Sequence, residues 1–229
     1  MHDDPDLSGQ LDLRLFPLPG VVFFPHSILP LHIFEPRYRQ MTEDALAGDR
    51  LITMVMARPD GGGWRGRVTP NLEEYACVGR ILRCEQLPDG RYNFLLLGLK
   101  RVRLIRELDL ATPYRVAQAE VIEEAEIDEP AYEATKLALV AQFRAFLARS
   151  GGIDPELDEV LQADLPLGIV CDILGHSLGF PPPMKQQLLA QPAAPARADL
   201  LGSWLGSLLQ TVDLSTSPSS SFPPRFSEN

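Results

Sequence analysis

Cys171, Asp172 and His176 are the residues of this sequence whose types come nearest to a catalytic set. A thiol nucleophile acts as its thiolate, beside an imidazole oriented to take the proton. On one helix, positions 172 and 176 share a face, whereas 171 and 176 diverge. The apolar neighbours Ile169, Val170, Ile173 and Leu174 argue instead for a buried structural cysteine. Cys77 and Cys84 stand seven apart, so a regular strand turns them to opposite faces and denies them a shared metal unless it bulges. Nothing matches a GxxxxGK(S/T) phosphate loop, a GxSxG elbow or an HExxH zinc helix. "GGGW" at 61–64 carries no lysine and reads as a surface loop. No catalytic residue, cofactor or metal is expected.

Two polar groupings remain. His32 precedes Glu35, Arg37 and Tyr38, a small cluster near a helix start, where Glu35 would complement the helix N-terminus and Arg37 would pair with a carboxylate. These four residues form the candidate recognition surface. Lys100, Arg101, Arg103 and Arg106 alternate with Val102 and Leu104, which predicts one buried face and one solvated, arginine-rich face. Such a stripe could bind RNA, but no aromatic platform interleaves with it.

The elements that carry these residues follow from turn chemistry and periodicity. "LDLRLF" alternates as a strand, and Pro19-Gly20 fits the centre of a type II turn. "VVFF" and "ILPLHIF" are short apolar strands, with Pro30 confined to an edge or a bulge. Pro36 suits a first helical turn, and Tyr38, Met41, Ala45 and Leu46 then share a stripe that stops at Gly48. "LITMVMA" is a strand, "RPDGGGWRGR" a loop, and "YACVGRILRCEQLPDGRYNFLLLGL" a long hairpin. "RVRLIREL" and "YRVAQAEVIEE" supply two further strands.

Near residue 127 the period changes from 2 to about 3.6. Helices are predicted over Pro130–Ser150, from an Asp154 cap at Pro155, over "LPLGIVCDILGHSLG", over "PMKQQLLAQ" and across 195–212. The class is α+β: a β-rich pseudo-barrel lobe at 11–126, then a helical bundle lobe at 127–212. Residues 1–10 and the Ser/Pro-rich 213–229 are expected to be disordered.

The chain has 229 residues, 45% hydrophobic and 23% charged, with a formal net charge of −10. That charge repels phosphate backbones and anionic membranes, so nucleic acid is disfavoured as a partner. Three cysteines without a CxxC pair fit a reducing compartment. "MHDDPDLSGQ" has no apolar h-region, and no apolar run is long enough to cross a bilayer. A cytoplasmic protein is expected.

"LFPLPGVVFFPHSILPLHIFEPRYRQM", "VGRILRCEQLPDGRYNFLLLGLKRVRL" and "MKQQLLAQ" followed by "RADLLGSWL" resemble the N-terminal substrate-binding (LON) domain of Lon proteases, over roughly residues 11–212. The resemblance implies a PUA-like β-rich subdomain followed by a helical one. It also implies a free-standing module that recognises unfolded or extended polypeptide segments or partner proteins, without ATPase or peptidase domains and without enzymatic activity. The alternative it leaves open is a PUA-like RNA-binding protein using the Lys100–Arg106 stripe. Neither partner identity nor oligomeric state follows from the sequence.

Overall fold

Proline and glycine mark the element boundaries in the first half of the chain. The computed structural model describes residues 7–58, 71–150 and 155–215. β1 (Gln10–Pro19) ends at Gly20, whose φ of +72° is the left-handed value that the Pro19-Gly20 turn needs. β2 (Ile28–Ile33) carries Pro30 and lies at the end of the sheet, where a missing N–H breaks no ladder. Pro36 opens α1 (Pro36–Ala47), which buries Tyr38, Met41, Thr42 and Ala45. β3 (Leu51–Ala57) leads to the hairpin of β4 (Tyr75–Gln86) and β5 (Tyr92–Leu108), turned at Gly90 with φ +80°. β6 (Arg115–Val121) follows.

Two strand expectations change. "RVRLIREL" is the second half of β5, one strand of 17 residues that bends through irregularities in its pairing. "VVFF" forms no strand at all. It crosses β5 at Gly98, where His26 N–H donates to the Gly98 carbonyl at 2.9 Å and Gly98 N–H donates to the Ser27 carbonyl at 2.9 Å. A Cβ on residue 98 would collide with the Phe24 carbonyl, so only glycine admits this crossing. Phe23 and Phe24 are thereby driven into the core as plugs.

The six strands run in the order β2-β5-β4-β3-β1-β6, and β6 also pairs with the far half of β5. That second pairing rolls β1, β3, β4, β5 and β6 into a closed barrel. Its lumen is filled by small and branched residues, including Leu13, Leu15, Ala76, Val78, Val102, Ala117 and Ala119. The outer surface carries the larger core, which α1 and the later helices cover.

The helical part opens with a 3-10 turn (Glu129–Tyr132) and continues as α2 (Glu133–Ser150), α3 (Pro155–Gln162), α4 (Leu167–Ser177), α5 (Pro182–Ala190) and α6 (Ala194–Ser215). Buried residues from α2, α4, α5 and α6 join those from the sheet in one continuous apolar cluster. The class is α+β, as expected. The expectations for 1–6, for the loop within 59–70, for stops and caps at 151–154 and for 216–229 fall outside the described residues.

Candidate functional site

β2, the distal half of β4 and the proximal half of β5 extend past the barrel as a three-stranded flap. Ile33, Tyr92, Phe94 and Leu96 on one face are buried against α1, and Tyr92 Oη donates to Glu43 Oε1 at 3.1 Å. The opposite face is open among the described residues. Ile28 lies beside Leu97, Pro30 beside Leu95, and His32 beside Asn93. On β4 those rows continue through Arg80, Arg83 and Glu85. A bulge at Leu82 makes this register possible, because it turns Arg80 and Arg83, three apart, to the same side.

Three large apolar side chains stay exposed there: Phe34 is 60% exposed, Ile28 50% and Leu82 43%. Scattered exposed apolar residues are ordinary, but several on one sheet face beside a groove mark a place where something docks. An open groove of about 780 Å³ runs over the flap, lined among others by Pro30, His32, Leu82, Arg83, Glu85 and Leu95.

The structure divides the four candidate recognition residues. His32 lies on the groove, with its Nδ1 2.7 Å from Asn93 Oδ1 and its Nε2 3.2 Å from Arg91 Nη1. The imidazole stacks beside Phe34 with centroids 6.2 Å apart. Glu35 and Arg37 pair with each other at 2.8 Å on the surface. Glu35 does cap α1, but through its carbonyl, which accepts from Tyr38 and Arg39 N–H at 3.0 and 2.9 Å, and its side chain makes no cap bond. Tyr38 is a core residue, 5% exposed, edge-on to Phe16 at 4.4 Å and covered by the Arg37 guanidinium at 4.5 Å. Burial raises its phenol above the usual range, against the opposing charge of Arg37. The four residues do not form one cluster.

The family model of the ATP-dependent protease La (LON) substrate-binding domain matches residues 12–206. The chain belongs to this family. Among relatives, this family member is 28% identical over 174 residues to the Lon protease of Escherichia coli strain K12, covering 76% of this chain and 22% of that protein. It is 25% identical over 203 residues to Lon protease 2 of Syntrophobacter fumaroxidans, covering 88% of this chain and 25% of the relative. The chain thus spans about a quarter of the length of these curated relatives. Its fold is that of the Lon N-terminal domain protein from Xanthomonas campestris, with TM-score 0.62, 21% identity, and 85% and 98% of the two chains covered. The N-terminal domain of the Mycobacterium avium complex Lon protease gives 0.66 at 15% identity, covering 86% and 98%. The matched region is a substrate-binding domain and not a catalytic one.

The thiol candidates in this LON domain serve the core. Burial pushes the Cys171 thiol up to about 12, and its Sγ lies 3.9 Å from the Ala194 carbonyl. Desolvation, with the Lys185 charge second, lowers the pKa of His176, so the neutral ring is favoured. Its Nδ1 finds no hydrogen-bond partner among the described residues. Cys77 and Cys84 do face the same way, because the Leu82 bulge breaks the alternation. Seven residues of strand nevertheless hold them roughly 20 Å apart, too far for one metal. Among the described residues no group of three or more His, Cys, Asp or Glu is placed to hold a metal. No helix there is long and apolar enough to cross a membrane.

The basic stripe is not solvated throughout. Arg101 points inward, forming a two-pronged ion pair with the fully buried Asp172 of α4 and donating to the Leu189 carbonyl at 3.2 Å. Of the rest, Lys100 pairs with Glu123 at 3.2 Å, Arg103 with Glu120 at 2.6 Å, and Arg106 bonds Gln118 Oε1 at 3.2 Å. Asp172 also holds His26 Nδ1 at 3.3 Å and Arg197 Nε at 3.5 Å, while Arg197 Nη2 reaches Glu124 at 2.5 Å. Burial opposes ionisation of Asp172, but the His26 bond and the two arginines outweigh it and hold the carboxyl below its usual range. This network joins β5, α4 and α6. Sequence reasoning passed over it, although a lone Asp172 and Arg197 within otherwise apolar helical faces were the available signal.

Proposed function

We propose that this LON-family chain is a non-catalytic recognition module that captures unfolded or extended polypeptide segments, or partner proteins that present them, on the open face of the β2–β5–β4 flap. The observation that carries the reading is an open groove over a sheet face that bears exposed apolar side chains, in a chain of the substrate-binding family. The β-rich part, 11–126, supplies the face, and the helical part, 127–212, holds the barrel from the other side. Its place is the cytoplasm, and it needs no cofactor.

Pro30 determines how a segment lies there. It has no N–H, sits in the middle of β2, and so leaves a gap on the only side of that strand that does not pair with β5. Strand addition at this edge would be interrupted. A captured chain therefore lies across the face and is held by side-chain burial more than by a backbone ladder. The RNA-binding alternative drew on Lys100, Arg101, Arg103 and Arg106, and each of these has a protein partner.

The test is fluorescence anisotropy with labelled, reduced and alkylated α-lactalbumin, a chain held unfolded. Binding is expected in the micromolar range and is lost in the doubly substituted Ile28→Ser, Phe34→Ser protein, whose thermal unfolding stays unchanged. Absence of binding at high micromolar protein, or equal binding by the double variant, refutes the proposal.

A further inference from the structure

The groove over the flap is not charge-neutral. Its lining includes two arginines, Arg50 and Arg83, against one carboxylate, Glu85, in a chain whose net charge is −10. Neighbouring arginines are committed: Arg91 to Asp89 at 2.6 Å and Arg37 to Glu35 at 2.8 Å. Arg83 is exposed and makes no ion pair or hydrogen bond among the described residues. It occupies the same row as Pro30 and Leu95, at the border of the apolar surface.

Arg50 is fixed at the other side of the bulge. Its backbone N–H donates to the Ala45 carbonyl at 2.8 Å, and its own carbonyl accepts from Ile81 N–H at 2.9 Å. Its Nε donates to the Ile81 carbonyl at 3.0 Å, which leaves the two terminal nitrogens of the fork without a hydrogen bond among the described residues. A left-handed φ of 63° at a non-glycine residue is tolerated here because those bonds over-determine it. The bulge thus brings one anchored and one uncommitted guanidinium to one flank of an apolar strip.

We propose that the groove selects among apolar segments by charge, favouring those with an aspartate or glutamate beside the apolar residues, and that Arg83 reads that carboxylate with Arg50 in support. This rests on the polypeptide-capture reading above. Arginine is suited to the role because its planar fork meets a carboxylate with two parallel bonds. Since Arg83 is solvent-exposed, the discrimination is modest: about two- to five-fold in Kd, the range of exposed ion pairs.

The experiment uses three fluorescein-labelled peptides that share one Leu-Val-Phe centre and carry Asp, Asn or Lys at both flanks. Anisotropy titrations at low salt are expected to rank them Asp, Asn, Lys, with the gap closing at high salt. In Arg83→Gln the Asp and Asn peptides become equal while the Asn peptide keeps its wild-type affinity, and in Arg83→Glu the order reverses. Equal binding of all three peptides by the wild type overturns charge selection and leaves polypeptide capture standing. An unchanged ranking in Arg83→Gln overturns the role of Arg83. Failure of all three peptides to bind overturns both readings.

Discussion

Asp172→Ala removes the centre of the buried ionic network and should be the most destabilising single change in the interior. Asp172 is fully buried, Arg101 is 5% exposed and Arg197 0%, so deleting the carboxylate takes a counter-charge from two guanidinium groups held away from water. Arg197 retains Glu124 and the Gln191 and Pro192 carbonyls, whereas Arg101 keeps only the Leu189 carbonyl. Breaking a buried pair by removing one partner costs about 3–5 kcal/mol. For a chain of this size that lowers Tm by about 6–20 °C. The wild-type contribution also depends on pH with a definite sign. The folded-state pKa of Asp172 lies below the ordinary 3.8, so the contribution is present at neutral pH and disappears only as the pH falls through the folded value. Urea unfolding read by the fluorescence of Trp204, which packs on Phe180 at 5.2 Å, measures the loss. The decisive comparison is the double change Asp172→Leu, Arg101→Met, which removes both charges and should recover at least half of it. A single variant that costs under about 1 kcal/mol, or a double variant as unstable as the sum of its singles, would falsify the network's role.

Gly98→Ala should cost about 1–3 kcal/mol in the same urea assay, because the new methyl group meets the Phe24 backbone and not a yielding side chain. Tyr38→Phe should leave both stability and polypeptide binding within error, whereas Tyr38→Ala should cost about 3–5 kcal/mol, as for other buried aromatics. A specific loss of binding in Tyr38→Phe would return that residue to the recognition surface. Iodoacetamide at pH 8 should label the partly exposed Cys84 slowly and leave Cys77 and Cys171 untouched until urea is added, since burial raises both thiols. Rapid labelling of Cys171 in the folded protein, followed by mass spectrometry, would contradict its placement.

Local residue chemistry carried much of the architecture. Pro19-Gly20, Pro36 and the Pro88–Gly90 turn each act through their own φ or their missing N–H, so they mark boundaries wherever the rest of the chain goes. The change of period near 127 likewise separates strands from helices, and the EPRY start of α1 stands where it was expected. The candidate site was legible only in part. His32 is named in the sequence because it precedes Glu35 and Arg37 near a helix start, and it lies on the flap groove; Glu35, Arg37 and Tyr38 are grouped with it by proximity in sequence, and helix geometry sends Tyr38 into the core.

What stayed hidden in the chain depends on residues far apart meeting. No local pattern says that β6 closes against β5, that Leu82 bulges, or that Arg101 of a seemingly solvated stripe finds Asp172 some seventy positions later. A buried charge is tolerated only when its partner arrives with it, and a sheet face is open only when nothing else in the chain covers it. Backbone preference is a property of neighbours in sequence, and so is readable there. Burial and exposure are properties of neighbours in space, and only the folded chain decides them.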